Sequence, residues 1–309
     1  MLDTSIRPPD KWRAAAIPKK DGSLRYLLIP NDELKQRQRE ILDYLYRAHL
    51  RVHEAAVGFM PDKCTLNGCL QHAADAQVII NLDVHDFFPS FPVDKVRSVL
   101  TDQLGAAVAD YIVDIATFKG KRRQQLPQGA PTSPYLTNIA LYKFDCNMSA
   151  NAKRRGFTYT RYADDITLAS SSEMRVNYIK TLIHGTERRL RALGLTLSKK
   201  KTNVIFRNSP RVPRRITGVT VRKDGFGFNA PIGLRKQARA MIHNLYTALK
   251  SGVPAQELVP EYRSAMGTVQ YCDFIRSASI VPEYATADPN IKTHELEYIK
   301  GVFRAYRHY

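Results

Sequence analysis

The stretch "YADD", residues 162–165, places Asp164 and Asp165 side by side between strand-forming runs at 157–162 and 166–168. Adjacent carboxylates repel, so the pair is either an ordinary solvated turn or a seat for a cation. Its flanks put it at the tip of a tight hairpin. A third aspartate, Asp83, ends a separate apolar run, "QVIINLDV" at 77–84, whose composition is that of a buried strand. If the two strands pair, three carboxylates converge on one point. Such a cluster is poorly tolerated empty, yet it supplies the hard oxygen ligands that Mg²⁺ requires. Two such ions about 4 Å apart activate an attacking hydroxyl and stabilise a leaving pyrophosphate in an in-line displacement.

Four other stretches carry side chains suited to the same chemistry. In "LPQGAPTSP", Gly129 permits close backbone approach and Gln128 offers a donor and an acceptor to a base or sugar, though a plain proline-rich loop needs neither. In "LDVHDFFPSF", Phe88 lies five positions beyond Asp83. It either stacks beneath a nucleotide sugar, excluding a 2′-hydroxyl, or belongs to the core. The basic hairpin "IPKKDGSLRY" presents Lys19, Lys20 and Arg25, as grips for a triphosphate or as a solvated face. "GLTLSKKKT" offers Lys199, Lys200 and Lys201. One of them could protonate pyrophosphate, and three successive lysines otherwise make a solvated face.

The elements that must position these residues follow from periodicity and breakers. Residues 17–29 read as a hairpin turning at Asp21-Gly22, followed by a helix over 31–50. Helical spacing covers 92–118, a helix is expected over 135–153, and another over 172–193 is closed by Gly194. Strands are expected near 202–206 and 216–222. A clear helix spans 231–252, with Pro231 in its first turn and Gly252 at its end. Its apolar face carries Leu234, Ala238, Met241, Ile242, Leu245 and Leu249, with Arg235, Lys236, Arg239 and His243 elsewhere around it. Helices over 256–277 and 293–307 complete a mostly helical tail. The chain therefore reads as α+β in two parts, 1–212 and 213–309.

Composition bounds the partner. Lysine and arginine outnumber aspartate and glutamate 47 to 29, a formal charge of +18. A surplus of that size attracts polyanions, nucleic acid first among them, because neutralising phosphates releases counterions; a soluble basic surface is the blander alternative. No apolar stretch is long enough to span a bilayer, and the N-terminal residues lack the apolar core of a secretory signal. Cys64, Cys69, Cys146 and Cys272 are scattered without the paired spacing of a zinc site. The expectation is a reduced, cytoplasmic protein with no membrane partner.

Taken in order, "IPKKDGSLRYLLIP", "LDVHDFFPSF", "LPQGAPTSP", "YADD" and "GLTLSKKKT" resemble five signature motifs of the reverse transcriptases, across about residues 17–220. Within that family the chain is most similar to the bacterial retron enzymes. "QGAPTSP" and "RYADDITLAS" carry that likeness, as do "NGCLQH" from Asn67 to His72, with Gly68 in place of an alanine, and "ITG" from Ile216 to Gly218, in place of V-T-G.

The resemblance implies a right hand of fingers, palm and a mostly helical thumb, with fingers and palm interleaved over 1–212 and an RNA-binding thumb over 213–309. It implies that Asp83, Asp164 and Asp165 bind two Mg²⁺ ions, with Mn²⁺ as a substitute. Phe88 is then the sugar gate, and Gln128 and Gly129 lie beside the incoming dNTP. Lys19 and Arg25 meet the triphosphate, and Lys201 or Lys200 donates the proton. Arg235, Lys236 and Arg239 become candidate RNA contacts, because A-form RNA is read by shape, phosphates and 2′-hydroxyls. A retron enzyme reverse transcribes its own structured noncoding RNA from an RNA 2′-hydroxyl. The product is a branched RNA-linked single-stranded DNA, used with an effector protein against phage.

Three other readings stay open at the level of residues. One is a different bacterial reverse transcriptase: diversity-generating, intron-type or an untemplated defence polymerase. A palm-fold nucleotidyl cyclase uses paired carboxylates but needs neither the Gln128-Gly129 loop nor so basic a chain. A catalytically idle RNA-binding protein is disfavoured by three carboxylates that would only weaken RNA binding.

Overall fold

The computed structural model describes residues 2–9, 11–19, 22–72, 76–120, 123–209, 212–222, 227–279 and 291–306, with side chains through Arg304. Lys20, Asp21 and Arg307 lie outside that set. The chain divides into two units, residues 1–68 with 77–204, and residues 69–76 with 205–309.

The first unit opens with β1 (Trp12–Pro18) and β2 (Leu24–Pro30), an antiparallel hairpin in register from Trp12↔Pro30 to Pro18↔Leu24. Helix α1 (Asp32–Arg47) follows at once. Asn31 caps it by accepting from the Leu34 N–H, and Asp32 and Glu33 complement the positive end of its dipole. Helix α2 (Thr65–His72), of which residues 69–72 are counted with the second unit, precedes β3 (Val78–Asp83), and the single turn α3 (Phe87–Ser90) comes next.

The helical spacing at 92–118 resolves into two helices, α4 (Val93–Leu104) and α5 (Ala106–Ala116). Gly105 separates them with φ +85, a left-handed value that ends the first ladder and lets α5 fold back on α4. After the short strands β4 (Phe118–Lys119) and β5 (Gln124–Gln125), the helix expected over 135–153 is likewise two. These are α6 (Ser133–Ala140) and α7 (Tyr142–Arg154), which change direction at Leu141. Seven of the eight residues of α6 are buried, so neighbours on every side fix its axis, whereas α7 packs along one face.

Strands β6 (Thr158–Tyr162) and β7 (Asp165–Ser170) form the acidic hairpin; α8 (Val176–Arg191) and β8 (Asn203–Phe206) follow. The helix begins at Val176, four residues later than expected from the sequence. The sheet runs β6-β7-β3-β8, which places the early strand β3 between two late ones. Val78, Ile79, Ile80 and Leu82 are buried on both faces of β3, as an inner strand covered by helices requires. Each such side chain contributes about 1.5–3 kcal/mol through burial. The outer edge of β6 is covered by residues 55–57. Arg161 N–H donates to the Ala55 carbonyl, and Val57 N–H to the Arg161 carbonyl, both at 2.8 Å.

The second unit contains a small sheet ordered β11-β10-β9, made of β9 (Arg214–Ile216), β10 (Val219–Val221) and β11 (Phe228–Asn229). The single strand expected over 216–222 is interrupted by a two-residue turn, Thr217-Gly218, with φ of +45 and +82. Positive φ at both central residues matches the twist of the flanking strands. Helix α9 (Ile232–Lys250) starts after Pro231, which is its cap rather than a first-turn residue. It packs with α10 (Val259–Ser277) and α11 (Thr293–Val302) around Ala238, Ile242, Val269, Ile299 and Phe303.

Candidate active site

Pairing of β3 with β7 ends at Asp83↔Asp165, and pairing of β6 with β7 ends at Tyr162↔Asp165. Only Ala163 and Asp164 are left to turn the hairpin. Ala163 adopts φ +54, the left-handed value a two-residue hairpin demands at its first central position. The Val84 N–H donates to the Asp164 carbonyl at 3.1 Å, tying the turn to the end of β3. The strands thus deliver the three aspartates to one place by register alone.

Charge at that place is tightly managed. Asp83 is buried, and its Oδ2 accepts from Lys201 Nζ at 2.7 Å. Asp165 opens onto the cleft, yet desolvation by the cleft walls and the charges of Asp164 and Asp83 push its pKa up to about 7. Asp164 is raised for the same two reasons, burial first and Asp83 second, with Lys201 and Arg25 pulling the other way. Burial alone would lower Lys201, but its hydrogen bond to Asp83 and the acidic charges raise it, so the ammonium is held protonated.

A cleft of about 330 Å³ lies over this cluster. Asp164, Asp165, Lys201, Lys19, Arg25, Phe88 and Gln128 all line it, so residues separated by up to 182 positions in the chain meet there. Phe88 packs against the core and also lines the cleft. Gly129 acts one layer back. Its φ is +127, and a Cβ there would stand 2.9 Å from the Leu28 carbonyl oxygen. The loop can therefore lie against β2, where the Gln128 carbonyl accepts from the Leu28 N–H at 2.9 Å. Arg235, Lys236 and Arg239 do not line the cleft; they lie on α9, with Lys236 the most exposed of the three.

The sequence reading missed Phe59, which lines the cleft, and Gly58 beside it, which does not. Phe59 is 46% exposed with φ +57, and its ring centroid is 5.5 Å from that of Tyr162. Gly58, just before it, approaches the acidic turn so closely that a Cβ would meet Tyr162 Cγ at 2.9 Å. The glycine itself was the available signal, since it stands inside "AAVGFM" where no turn was otherwise indicated.

Among the described residues, no three His, Cys, Asp or Glu side chains already close into a ligand cage. The donor chemistry nevertheless fits a divalent cation. Asp83, Asp164 and Asp165 offer only hard carboxylate oxygens, and the burial and mutual repulsion that raise Asp164 and Asp165 are both offset by a bound cation. Lys201 supplies part of that counter-charge in their midst.

Residues 17–228 match the family described as reverse transcriptase (RNA-dependent DNA polymerase). The retron Mx162 reverse transcriptase of Myxococcus xanthus is 34% identical over 266 residues, covering 78% of this chain and 53% of that protein. The retron Mx65 enzyme of the same organism is 33% identical, covering 77% and 57%. The retron Ec86 reverse transcriptase of Escherichia coli is 31% identical, covering 79% and 72%. The chain thus spans only about half the length of the two Myxococcus relatives it matches. Among solved structures, apo telomerase from Candida tropicalis superposes with a TM-score of 0.55 at 10% identity, over 97% of this chain and 59% of that one. That likeness concerns the fold alone, an α+β reverse transcriptase hand. With motif order, cleft geometry and relatives in agreement, the chain belongs to the reverse transcriptase family, among its retron-type members.

Proposed function

We propose that this chain is an RNA-directed DNA polymerase that copies a cognate structured noncoding RNA. It starts from an RNA 2′-hydroxyl and leaves a branched, RNA-linked single-stranded DNA. The observation that carries the reading is the Asp83↔Asp165 register, which gathers three carboxylates and Lys201 beneath a cleft lined by Lys19, Arg25, Phe88 and Gln128. The retron relatives support a retron-type polymerase; the priming and the branched product are what the resemblance to that family implies.

In this reading Asp83, Asp164 and Asp165 would hold two Mg²⁺ ions, with Mn²⁺ as a substitute. When bound, the ions activate the attacking hydroxyl and neutralise the departing pyrophosphate. The remaining work falls to the chain's own groups. Lys19 and Arg25 bind the dNTP triphosphate through charge-assisted hydrogen bonds. Phe88 presses on the sugar face and leaves no room for a 2′-hydroxyl. Gln128 orients the nucleotide, its backbone anchored on β2. Lys201, kept protonated by Asp83, carries the proton that pyrophosphate needs on leaving. Residues 213–309 serve as the thumb, and Arg235, Lys236 and Arg239 on α9 meet RNA phosphates. The complex of enzyme, RNA and DNA acts with an effector protein in defence against phage.

The test is made in cells that express the chain with the DNA flanking its gene. Short single-stranded DNA whose mobility shifts after RNase, and again after debranching enzyme, is the expected product, absent in an Asp165→Asn control. Linear DNA lost in the control would keep the polymerase and discard the branch. No DNA from either chain would overturn the reading.

A further inference from the structure

Asp145 and Arg161 form an ion pair that the proposed chemistry does not use. Their side chains are 0% and 1% exposed. Arg161 donates from Nε to Asp145 Oδ1 at 2.9 Å and from Nη2 to Oδ2 at 2.7 Å, and the Tyr159 hydroxyl donates to Oδ1 at 2.6 Å. Ion pairs this deep add little to stability, because desolvation offsets the attraction. The destination of the remaining donor is more informative. Arg161 Nη1 donates to the Ala163 carbonyl at 3.1 Å and to Asn138 Oδ1 at 3.0 Å. Asn138 in turn donates from Nδ2 to the Gly58 carbonyl at 2.8 Å.

Ala163 is the strained residue of the acidic turn. A left-handed alanine persists only where its surroundings over-determine it. Here the guanidinium holds its carbonyl, and the Val84 N–H holds the next one. Gly58 presses from the side, where a Cβ would meet Ala163 N at 3.0 Å.

We propose that the Arg161–Asp145 pair, bridged by Asn138 to Gly58, positions the Asp164-Asp165 turn. It locks the strained backbone from beneath, so that both carboxylates are presented in a single arrangement. What the carboxylates then do rests on the polymerase reading; how they are held does not. Arg161, Asp145 and Asn138 are positioning residues, since none of them lines the cleft.

The deciding variant removes both charges together, Asp145→Leu with Arg161→Met, so that neither is left unpaired in the interior. The expected protein unfolds cooperatively and binds primer–template with unchanged Kd, but has a kcat at least about tenfold lower, the scale seen when supporting partners of ligating groups are lost. Mn²⁺ affinity, read without substrate from the EPR signal of the free ion, weakens in parallel. Adding Ala163→Gly, for which left-handed backbone carries no steric cost, recovers part of the lost kcat; a general loosening of the fold would not be repaired there. A folded double variant whose kcat and Mn²⁺ affinity both match the unsubstituted chain overturns the proposal. If the double variant does not fold, Asn138→Ala decides by the same two readings. Absence of DNA synthesis by the unsubstituted chain would sink the polymerase reading instead, and Mn²⁺ affinity alone would then decide how the turn is held.

Discussion

Asp83 and Asp165 are direct partners at the last position of the β3–β7 ladder, two acids placed opposite each other where a sheet ordinarily avoids like charges. The pairing is costly to the fold and useful to the site. Replacing Asp165 by Asn removes the repulsion and should raise stability by up to about 1 kcal/mol in metal-free buffer. The same change should take DNA synthesis below detection and leave RNA affinity intact. Thermal unfolding, primer extension and filter binding on one preparation check all three. Full synthesis by the purified variant would remove Asp165 from the catalytic group.

Phe88 stands at the cleft wall with its other side in the core. Phe88→Ala should admit ribonucleotides, lowering the preference for dNTPs over rNTPs by roughly 10–200-fold, the range over which a pocket wall discriminates small groups. Single-nucleotide incorporation with each substrate measures the ratio. An unchanged ratio would return Phe88 to a packing role.

His72 gives the fold an acid-sensitive component. It is 3% exposed, and desolvation lowers its pKa from 6.5 to about 4. The fold therefore holds the ring neutral while the unfolded chain protonates it first. Stability from this group is complete above pH 6.5, declines as pH falls from 6.5 to about 4, and changes no further below that. The loss amounts to about 3 kcal/mol. Urea unfolding across that window should show the decline, and His72→Gln should flatten it.

Lys236 projects from α9 as an exposed cation. If it meets a phosphate, Lys236→Ala should weaken RNA binding uniformly across sequences and reduce the slope of log K against log salt by about 1. A slope that does not change would place the RNA elsewhere on the chain.

The parts of this molecule that sequence makes legible are those written in local patterns. The second strand of the β1–β2 hairpin, the buried run ending at Asp83 and the acidic turn each announce themselves within about ten residues, whereas β1 begins at Trp12, five residues before the hairpin expected from the sequence. Gly105 was hidden because apolar spacing on either side of it continues in helical phase, and only its φ of +85 breaks the helix. Thr217-Gly218 was hidden inside an otherwise strand-like run. The support of the acidic turn was illegible for a different reason. Gly58, Asn138 and Asp145 have ordinary types for their segments, and meaning comes to them only from Arg161, which lies 16 to 103 positions further along the chain.

The strand order β6-β7-β3-β8 also sets a timetable for synthesis. Strand β3 emerges from the ribosome about 80 residues before the partner it needs, a wait of roughly 4–16 s at 5–20 residues per second. Throughout it the run Val78–Ile79–Ile80 is an unpaired β-segment without a charge, the type of sequence that nucleates aggregation. Hairpin β6–β7, by contrast, closes locally as soon as it is made. Yield of this chain should accordingly depend on translation speed and on chaperones that shield nascent strands, more than on the stability of the finished fold.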